Sequence, residues 1–220
     1  MLVQPDLGTA IVMASIWLVM TLATKVKKSY LLVMFATLIL AFPLLYPRLQ
    51  EYQKKRITTF LQPSADPSGA GYNVNQAIIA VGSGGFLGQG LGSGGQSQGN
   101  FLPSSHTDFV FAVLAEKLGF SGALVCIALF LAVVARIIID ASYSNDRFGS
   151  LLCIGIATMF IVHVVVNIGM NLGIMPVTGI PLPFISAGGT SMMVSLFSVG
   201  LVQSVYSRRK GRELKEIESL

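Results

Sequence analysis

The chain alternates long apolar stretches with polar or glycine-rich segments. An α-helix crosses a hydrocarbon core of about 30 Å with roughly 17 to 25 apolar residues. Five stretches reach or approach that length: Thr9–Thr24, Ser29–Tyr46, Phe120–Ile139, Gly149–Met170 and Thr190–Tyr206. The pattern predicts an all-α polytopic membrane protein with about five transmembrane helices in this chain.

Composition fits a protein that lies in lipid. Apolar residues make up 53% of the chain and charged residues 11%, and the mean hydropathy is +0.70, which excludes an ordinary soluble domain. Cys126 and Cys153 lie inside apolar stretches, so we expect them to pack as small side chains without a disulfide framework. No basic region precedes Pro5 and Asp6, so no signal peptide is predicted, and Met1 resembles an interruption of a longer sequence.

Lysine and arginine residues indicate which side each loop faces, because short loops that carry them stay in the cytoplasm. Three such regions alternate along the chain: Lys25, Lys27 and Lys28; Arg136 and Arg147; and Arg208, Arg209, Lys210, Arg212 and Lys215. They predict an outer N-terminus and a cytoplasmic basic tail over residues 207–220. We assign the net charge of +5 to contact with anionic lipid headgroups, and nucleic-acid binding is not implied.

Two long outer segments are expected to be structured. Residues 47–119 hold a basic run, Gln50–Arg56, a moderately apolar run, Val74–Val81, that we expect to be helical, and a glycine-rich run, Gly82–Gly99. Irregular backbone at membrane depth persists only where protein or a wet cavity satisfies its peptide groups. The glycines therefore serve close packing and turns or, alternatively, offer amides to phosphate. In Met175–Gly189, prolines and glycines predict a bent, re-entrant segment.

Asp108 is the acidic residue best placed for chemistry. It lies on the outer side, directly before an apolar helix predicted to start near Phe109. The first-turn amides favour its charged form and partial desolvation opposes it, a competition that can produce a general base; a simple helix cap is the alternative. Glu116 lies about 12 Å further along an unbroken helix, so the two carboxylates form a dyad only if the helix breaks. Lys117 is expected to pair locally or to snorkel.

A polar stripe follows helical spacing inside the fourth apolar stretch, formed by His163, Asn167 and Asn171. Such residues either face a wet cavity or make hydrogen bonds between helices. The sequence shows no metal-ligand spacing and no serine in a nucleophile elbow. The residues alone predict a membrane protein with an outer polar cavity and one well-placed aspartate.

Four segments resemble the signature regions of one known family. They are Gln4–Ala10; Gly82–Gly85 with Gly88–Gly90; Phe101–Pro103 with His106–Val113, Glu116 and Gly119; and Asn167–Met170 with Pro176–Ser186 and Gly188–Gly189. In these segments the chain is similar to the membrane-embedded peptidoglycan glycosyltransferases of the shape, elongation, division and sporulation (SEDS) family. Gln96–Gln98 and Gly179–Pro183 look more like the elongation branch, RodA, than the division branch, FtsW.

The resemblance implies a fold, a reaction and a location. Family members have about ten helices, and this chain is similar to the last half of that bundle, as one partial membrane domain over residues 1–220. They polymerise lipid II into peptidoglycan glycan strands at the bacterial cytoplasmic (inner) membrane, in the RodA branch during cell elongation and shape determination. They work with single-span class B penicillin-binding transpeptidases. Two alternatives stay open: a lipid II flippase whose headgroup path follows the polar stripe, and a scaffold for a class B penicillin-binding protein.

The resemblance also assigns residues. Asp108 matches the family's proposed catalytic aspartate, which would deprotonate the sugar 4-hydroxyl of the incoming lipid II. Expected substrate contacts are His106, Thr107, Glu116, Lys117, Lys54, Lys55, Arg56, Pro181, Pro183 and Ser186. No cofactor is certain, because either basic side chains or a divalent cation, Mg²⁺ or Mn²⁺, would stabilise the departing diphosphate. The chain departs from the family at Ala187, where many members have tyrosine, and at Lys117, where the family has a second glutamate.

Overall fold

The computed structural model describes residues 6–24, 26, 27, 29, 30, 32, 33, 36, 37, 40, 54, 56, 58–60, 62, 69–90, 92, 95, 105–144 and 146–218. These residues contain helices and no strand. The principal helices are α1 (Leu7–Ala23), α2 (Ala70–Ser83), α3 (Val110–Ser142), α4 (Arg147–Asn171) and α5 (Gly189–Glu218). The predicted all-α class is therefore confirmed for the described part of the chain.

Aspartates start two of the helices. The Asp6 carboxylate accepts hydrogen bonds from the Thr9 amide (2.9 Å) and the Thr9 hydroxyl (2.6 Å) at the start of α1. The Asp146 carboxylate accepts from the amides of Phe148 (3.2 Å) and Gly149 (3.3 Å) at the start of α4. Because only a short turn separates α3 from α4, the two form an antiparallel hairpin. Helix α4 packs against both α3 and α1.

Helices α3 and α4, with 33 and 25 residues, are long and apolar enough to cross a membrane, and α1 is a shorter apolar helix. Helix α3 contains the predicted stretch Phe120–Ile139 and α4 contains Gly149–Met170, in agreement with a membrane helical bundle. The count of five spans stays a prediction, since most of Ser29–Tyr46 lies outside the described residues. A buried cluster that includes Ile137, Cys153 and Val202 joins α3, α4 and α5.

Helix α3 is kinked at Gly119, where φ is 69° and ψ is −167°. The kink removes the two regular i→i+4 hydrogen bonds that would span it. The segment after α2, residues 84–90, supplies a partner for each of the four freed groups. The amides of Phe120 and Ser121 donate to the carbonyls of Gly85 and Phe86 (2.9 and 3.1 Å), and the amides of Gln89 and Gly90 donate to the carbonyls of Glu116 and Lys117 (2.9 and 3.1 Å).

The glycines of this segment allow its backbone to lie directly against α3. A Cβ atom at Gly84 would overlap the Ala115 carbonyl, and one at Gly88 would overlap the Lys117 carbonyl. Gly88 also has a φ of 82°, which side-chain-bearing residues rarely adopt. The close-packing role predicted for these glycines is therefore confirmed at Gly84 and Gly88.

Candidate active site

The turn before α3 is held through its main chain by the segment after α4. The Ser186 hydroxyl donates to the Thr107 carbonyl (2.7 Å) and accepts from the Leu182 amide (2.8 Å). The Ala187 amide donates to the His106 carbonyl (2.8 Å). Ser186 is buried, with 3% of its surface exposed. Its hydroxyl, which we expected to contact substrate, is thus engaged in holding the Thr107 backbone.

The Asp108 carbonyl is held by α4. It accepts hydrogen bonds from the side-chain amides of Asn167 and Asn171, each at 3.1 Å. Asn167 also donates to the Ile180 carbonyl (2.8 Å). Both asparagines are fully buried. Of the two alternatives for the polar stripe, hydrogen bonding between segments therefore applies to Asn167 and Asn171.

His163, the third member of the stripe, has a different environment. Its Nδ1 atom lies 2.8 Å from the Met159 carbonyl oxygen of the same helix. The side chain lines a cavity of about 230 Å³ together with Pro181, Pro183 and Ser195. The cavity alternative thus applies to His163, and the expected contacts Pro181 and Pro183 share that cavity.

The Asp108 side chain is half-buried and lies beside Gly179. A Cβ atom at Gly179 would be 3.8 Å from Asp108 Oδ2. The start of α1 reaches the segment 178–180, because a Cβ atom at Gly8 would lie 2.9 Å from the Thr178 carbonyl oxygen and 2.8 Å from the Ile180 side chain. The segment 178–180 therefore contacts both the turn that carries Asp108 and the beginning of α1.

Glu116 and Lys117 lie at the kink instead of beside Asp108. Glu116 is fully buried and Lys117 is half-buried. Asp108 lies just before α3, which starts at Val110 and is interrupted at Gly119, after Glu116, so no helix break separates the two carboxylates. The condition for a carboxylate dyad, a helix break between them, is not met.

The basic run lies partly within the described residues, which include Lys54 and Arg56 but not Lys55. Arg56 lines a cavity of about 30 Å³ with Val74 and Pro176. Its Nη1 atom is buried and has no hydrogen-bond partner in the described part of the chain. Hydrogen bonds from Thr9 hold the pKa of Asp6 below its ordinary value, and the nearby charge of Arg56 lowers it further. Arg56 therefore lies on the side of the molecule where α1 begins.

Neither the kink at Gly119 nor the hydrogen bonds from α4 to the Asp108 backbone were predicted from the sequence. The available signal for the kink was an isolated glycine next to an apolar run and downstream of a glycine-rich segment. Two asparagines four residues apart in an apolar helix were the signal for the hydrogen bonds. In both cases the partner is distant in sequence and is revealed only by the folded structure.

Comparison with known proteins covers nearly the whole chain. A family model of cell cycle proteins, FtsW, RodA and SpoVE, matches residues 1–211. Peptidoglycan glycosyltransferase MrdB of Escherichia coli K12 is 42% identical over 210 residues, which are 94% of this chain and 56% of that protein. Probable peptidoglycan glycosyltransferase FtsW of Geobacter metallireducens is 40% identical over 213 residues, 96% of this chain and 56% of that protein. The chain thus spans about half the length of these relatives.

Solved structures give the same result. A structure concerned with the coordination of polymerization and crosslinking by a peptidoglycan synthase complex superposes with a TM-score of 0.75 at 33% identity, covering 94% of this chain and 57% of the other. A crystal structure of a mutant of the rod shape determining protein RodA from Thermus thermophilus gives a TM-score of 0.60 at 29% identity, covering 94% and 52%. The helical arrangement of the chain is therefore similar to known folds.

Proposed function

The chain belongs to the FtsW, RodA and SpoVE family of cell cycle proteins, and from that membership we propose that it forms part of a membrane glycosyltransferase that polymerises lipid II into peptidoglycan glycan strands. The names of the relatives MrdB and FtsW support this activity. Identities of 42% and 40% to the two do not separate the branches. We assign the chain to cell elongation because Gly179–Pro183 resembles the RodA branch.

One observation carries the proposal: segments that resemble the family signatures, far apart in the chain, pack together at the segment 178–180, where Gly179 lies next to Asp108. Gly179 lies next to the carboxylate, and Gly8, at the start of α1, lies against Thr178 and Ile180, the two neighbours of Gly179. The main chain of the turn before α3 is fixed by buried hydrogen bonds. A half-buried carboxylate on a fixed backbone is the arrangement that a general base requires.

In the proposed reaction Asp108 is the general base. The 4-hydroxyl oxygen of the incoming lipid II attacks the anomeric carbon at the lipid-linked end of the growing strand. Its proton passes to the Asp108 carboxylate while the bond from that carbon to the lipid diphosphate breaks. The configuration at the carbon inverts in one displacement, so no covalent enzyme intermediate is needed.

The departing diphosphate requires positive charge. We propose Arg56 for this role, because a buried guanidinium nitrogen without a partner in the described residues retains a donor for an anion. Lys54, Lys55 and Lys117 are further candidates, with His106 and Thr107 as contacts near the base. The described residues contain no group of three or more His, Cys, Asp or Glu side chains that could hold a metal ion. We therefore derive no step through Mg²⁺ or Mn²⁺.

The proposed location is the bacterial cytoplasmic membrane, with Asp108 on the outer side and the tail, residues 207–220, in the cytoplasm. The apolar helices α3 and α4 support a membrane location, and the alternation of basic loops supports this orientation. A class B penicillin-binding protein is the proposed partner. The similarity to a structure of a peptidoglycan synthase complex supports a partner of that kind.

A lipid II flippase is the competing function, with a headgroup path along the polar stripe. In the structure the side chains of Asn167 and Asn171 are bonded to backbone groups and fully buried. Of the three stripe residues, His163 is the one that lines a cavity. This arrangement favours the enzyme over the transporter.

The functions separate in a detergent assay. The protein is purified in the form that its cell produces and is mixed with fluorescent lipid II in detergent micelles. Polymerisation can occur there, but transport between compartments cannot. We expect glycan ladders that disappear with Asp108→Ala and persist with Asp146→Ala, a matched change at the helix start of α4. Absence of ladders together with lipid II transfer across reconstituted vesicles would contradict the glycosyltransferase and support the flippase. Absence of both would favour a scaffold.

A further inference from the structure

We propose that Asn167 and Asn171 are positioning residues for Asp108, which set the place of its carboxylate by holding its backbone. The proposal rests on the proposed function, in which Asp108 is the base. Neither asparagine touches the carboxylate in the hydrogen bonds that the structure describes. Both act on the carbonyl of the same residue.

The carboxamide of Asn171 is inserted into the first hydrogen bond of α3. In a regular helix the Asp108 carbonyl would accept from the Ala112 amide, four residues on. Instead the Ala112 amide donates to Asn171 Oδ1 (3.1 Å) and Asn171 Nδ2 donates to the Asp108 carbonyl (3.1 Å). The regular ladder begins one residue later, where the Val113 amide donates to the Phe109 carbonyl (3.3 Å). One side-chain amide therefore replaces a direct bond and holds Asp108 out of the helix.

Asn167 ties Asp108 to the segment beside its carboxylate. Its Nδ2 atom donates both to the Asp108 carbonyl (3.1 Å) and to the Ile180 carbonyl (2.8 Å). Ile180 directly follows Gly179, the residue next to Asp108 Oδ2. Asn171 Nδ2 in turn donates to the main-chain carbonyl of Asn167 (2.8 Å), one turn away on α4. The two side chains thus form one buried unit that fixes the base relative to its surroundings.

A buried unit of this kind controls rate through geometry. A planar carboxamide offers a donor and an acceptor at a fixed separation, so the gap between Asp108 and Ala112 is defined by covalent geometry. A displacement of about 1 Å in a catalytic group can cost roughly a hundredfold in rate. Loss of either asparagine should therefore lower kcat for polymerisation while the affinity for lipid II, which other residues supply, changes little.

The test measures kcat and KM for glycan polymerisation, with lipid II as the substrate and with the protein purified in the form that its cell produces. Asn167→Ala and Asn171→Ala are expected to lower kcat by about tenfold to a hundredfold, with KM within about twofold of wild type. Each asparagine alone can still hold the Asp108 carbonyl. The double variant should therefore lose more than the product of the two single losses.

Controls separate positioning from folding. Thr158→Val removes a buried hydroxyl from α4 that, among the described residues, donates to the Ile154 carbonyl of its own helix (2.8 Å). Ile137→Ala removes apolar packing from the cluster that joins α3 to α4. Ile137→Ala should lower Tm and Thr158→Val should lower it only slightly, and both should leave kcat per folded molecule unchanged. If the asparagine variants behave as these controls do, with lower Tm and wild-type kcat, the positioning role is overturned.

Asp108→Asn, run in parallel, separates this inference from the proposed function. An inactive Asp108→Asn with active asparagine variants would retain the base and overturn the positioning role. An active Asp108→Asn would remove Asp108 from the reaction and both proposals with it. We expect Asp108→Asn to be inactive. We expect kcat to fall in the Asn167 and Asn171 variants but not in the Thr158 and Ile137 variants.

Discussion

Helix α3 lacks regular hydrogen bonds at two places, its start and the kink at Gly119, and the missing partners come from different sources. At the start, side chains of Asn171 and Ser186 take the place of main-chain groups. At the kink, the partners are main-chain groups of the segment 84–90. The start therefore depends on particular polar groups, whereas the kink depends on the absence of side chains.

This difference follows from what each place has to do. A side-chain amide or hydroxyl comes from a neighbouring element and fixes one carbonyl at a time, which suits a turn that carries a reactive carboxylate. A glycine backbone packed against another backbone satisfies four main-chain groups at once, which suits a bend that only has to keep its shape. Substitutions at the start of α3 and at the kink should therefore destabilise the protein for different reasons.

Gly119→Ala should have the largest effect on stability. The new Cβ atom would lie 2.6 Å from the Phe86 carbonyl oxygen, at a φ of 69° that side-chain-bearing residues rarely adopt. We expect the free energy of unfolding in detergent to fall by about 3 kcal/mol or more. The matched change Gly200→Ala, in open space on α5, should shift it by less than about 1 kcal/mol. Similar values for the two would show that the kink is not sterically fixed.

Asn171→Ala should be the next most damaging change. It leaves the buried Ala112 amide without its acceptor and takes one of two donors from the Asp108 carbonyl. A buried group left unsatisfied costs about 1–3 kcal/mol, so we expect about 2 kcal/mol in equilibrium unfolding. Unchanged unfolding would mean that the start of α3 does not depend on the carboxamide.

Ser186→Ala compares one buried hydroxyl with another. Ser186 links Leu182 to Thr107 across the fold. Ser195 is also buried, but in the described part of the chain its hydroxyl donates to the Ser191 carbonyl of its own helix (2.8 Å). We expect Ser186→Ala to cost about 1.5 kcal/mol in unfolding and Ser195→Ala about 0.5 kcal/mol or less. Equal losses would contradict a special role for hydrogen bonds between elements at the start of α3.

Apart from the control substitutions, Asp6→Ala should have the smallest effect, because Asp6 is an exposed N-cap that bonds only one turn of its own helix in the described part of the chain. We expect a loss of about 1 kcal/mol at pH 7. Hydrogen bonds from Thr9 lower the pKa of Asp6, so its stabilisation is present above the unfolded-state pKa and is lost as the pH falls through the lower folded-state value. The Tm difference between wild type and variant should therefore shrink below about pH 4, and a difference that grows on acidification would contradict the cap.

Local patterns in the sequence predict much of the helical framework. The long apolar runs give α3 and α4, and the place of Asp108 directly before a helix follows from the apolar run that starts at Phe109. The close-packing role of the glycines was also predicted, because closely spaced glycines have few other uses beside apolar helices. These features depend on neighbours in the chain, where periodicity and propensity are informative.

The distant contacts could not be predicted in the same way. The carboxamide of Asn171 lies 59 residues from the Ala112 amide that it meets, and helical spacing only places it on a stripe. The kink at Gly119 depends on a loop about thirty residues upstream, and glycine in an apolar run is also tolerated without a bend. Helical spacing alone therefore left the function of the polar stripe open between a cavity and hydrogen bonds between segments.

The central claim, that Asp108 is the base of a glycan-polymerising site, is tested most directly by Asp108→Asn. The side chains that hold the turn before α3 donate to main-chain carbonyls. The substitution should therefore leave these hydrogen bonds in place and Tm nearly unchanged. The measurement is the initial rate of glycan polymerisation from lipid II in detergent, per folded molecule. We predict a fall of about a thousandfold. A rate within tenfold of wild type would contradict the assignment of Asp108 as the base.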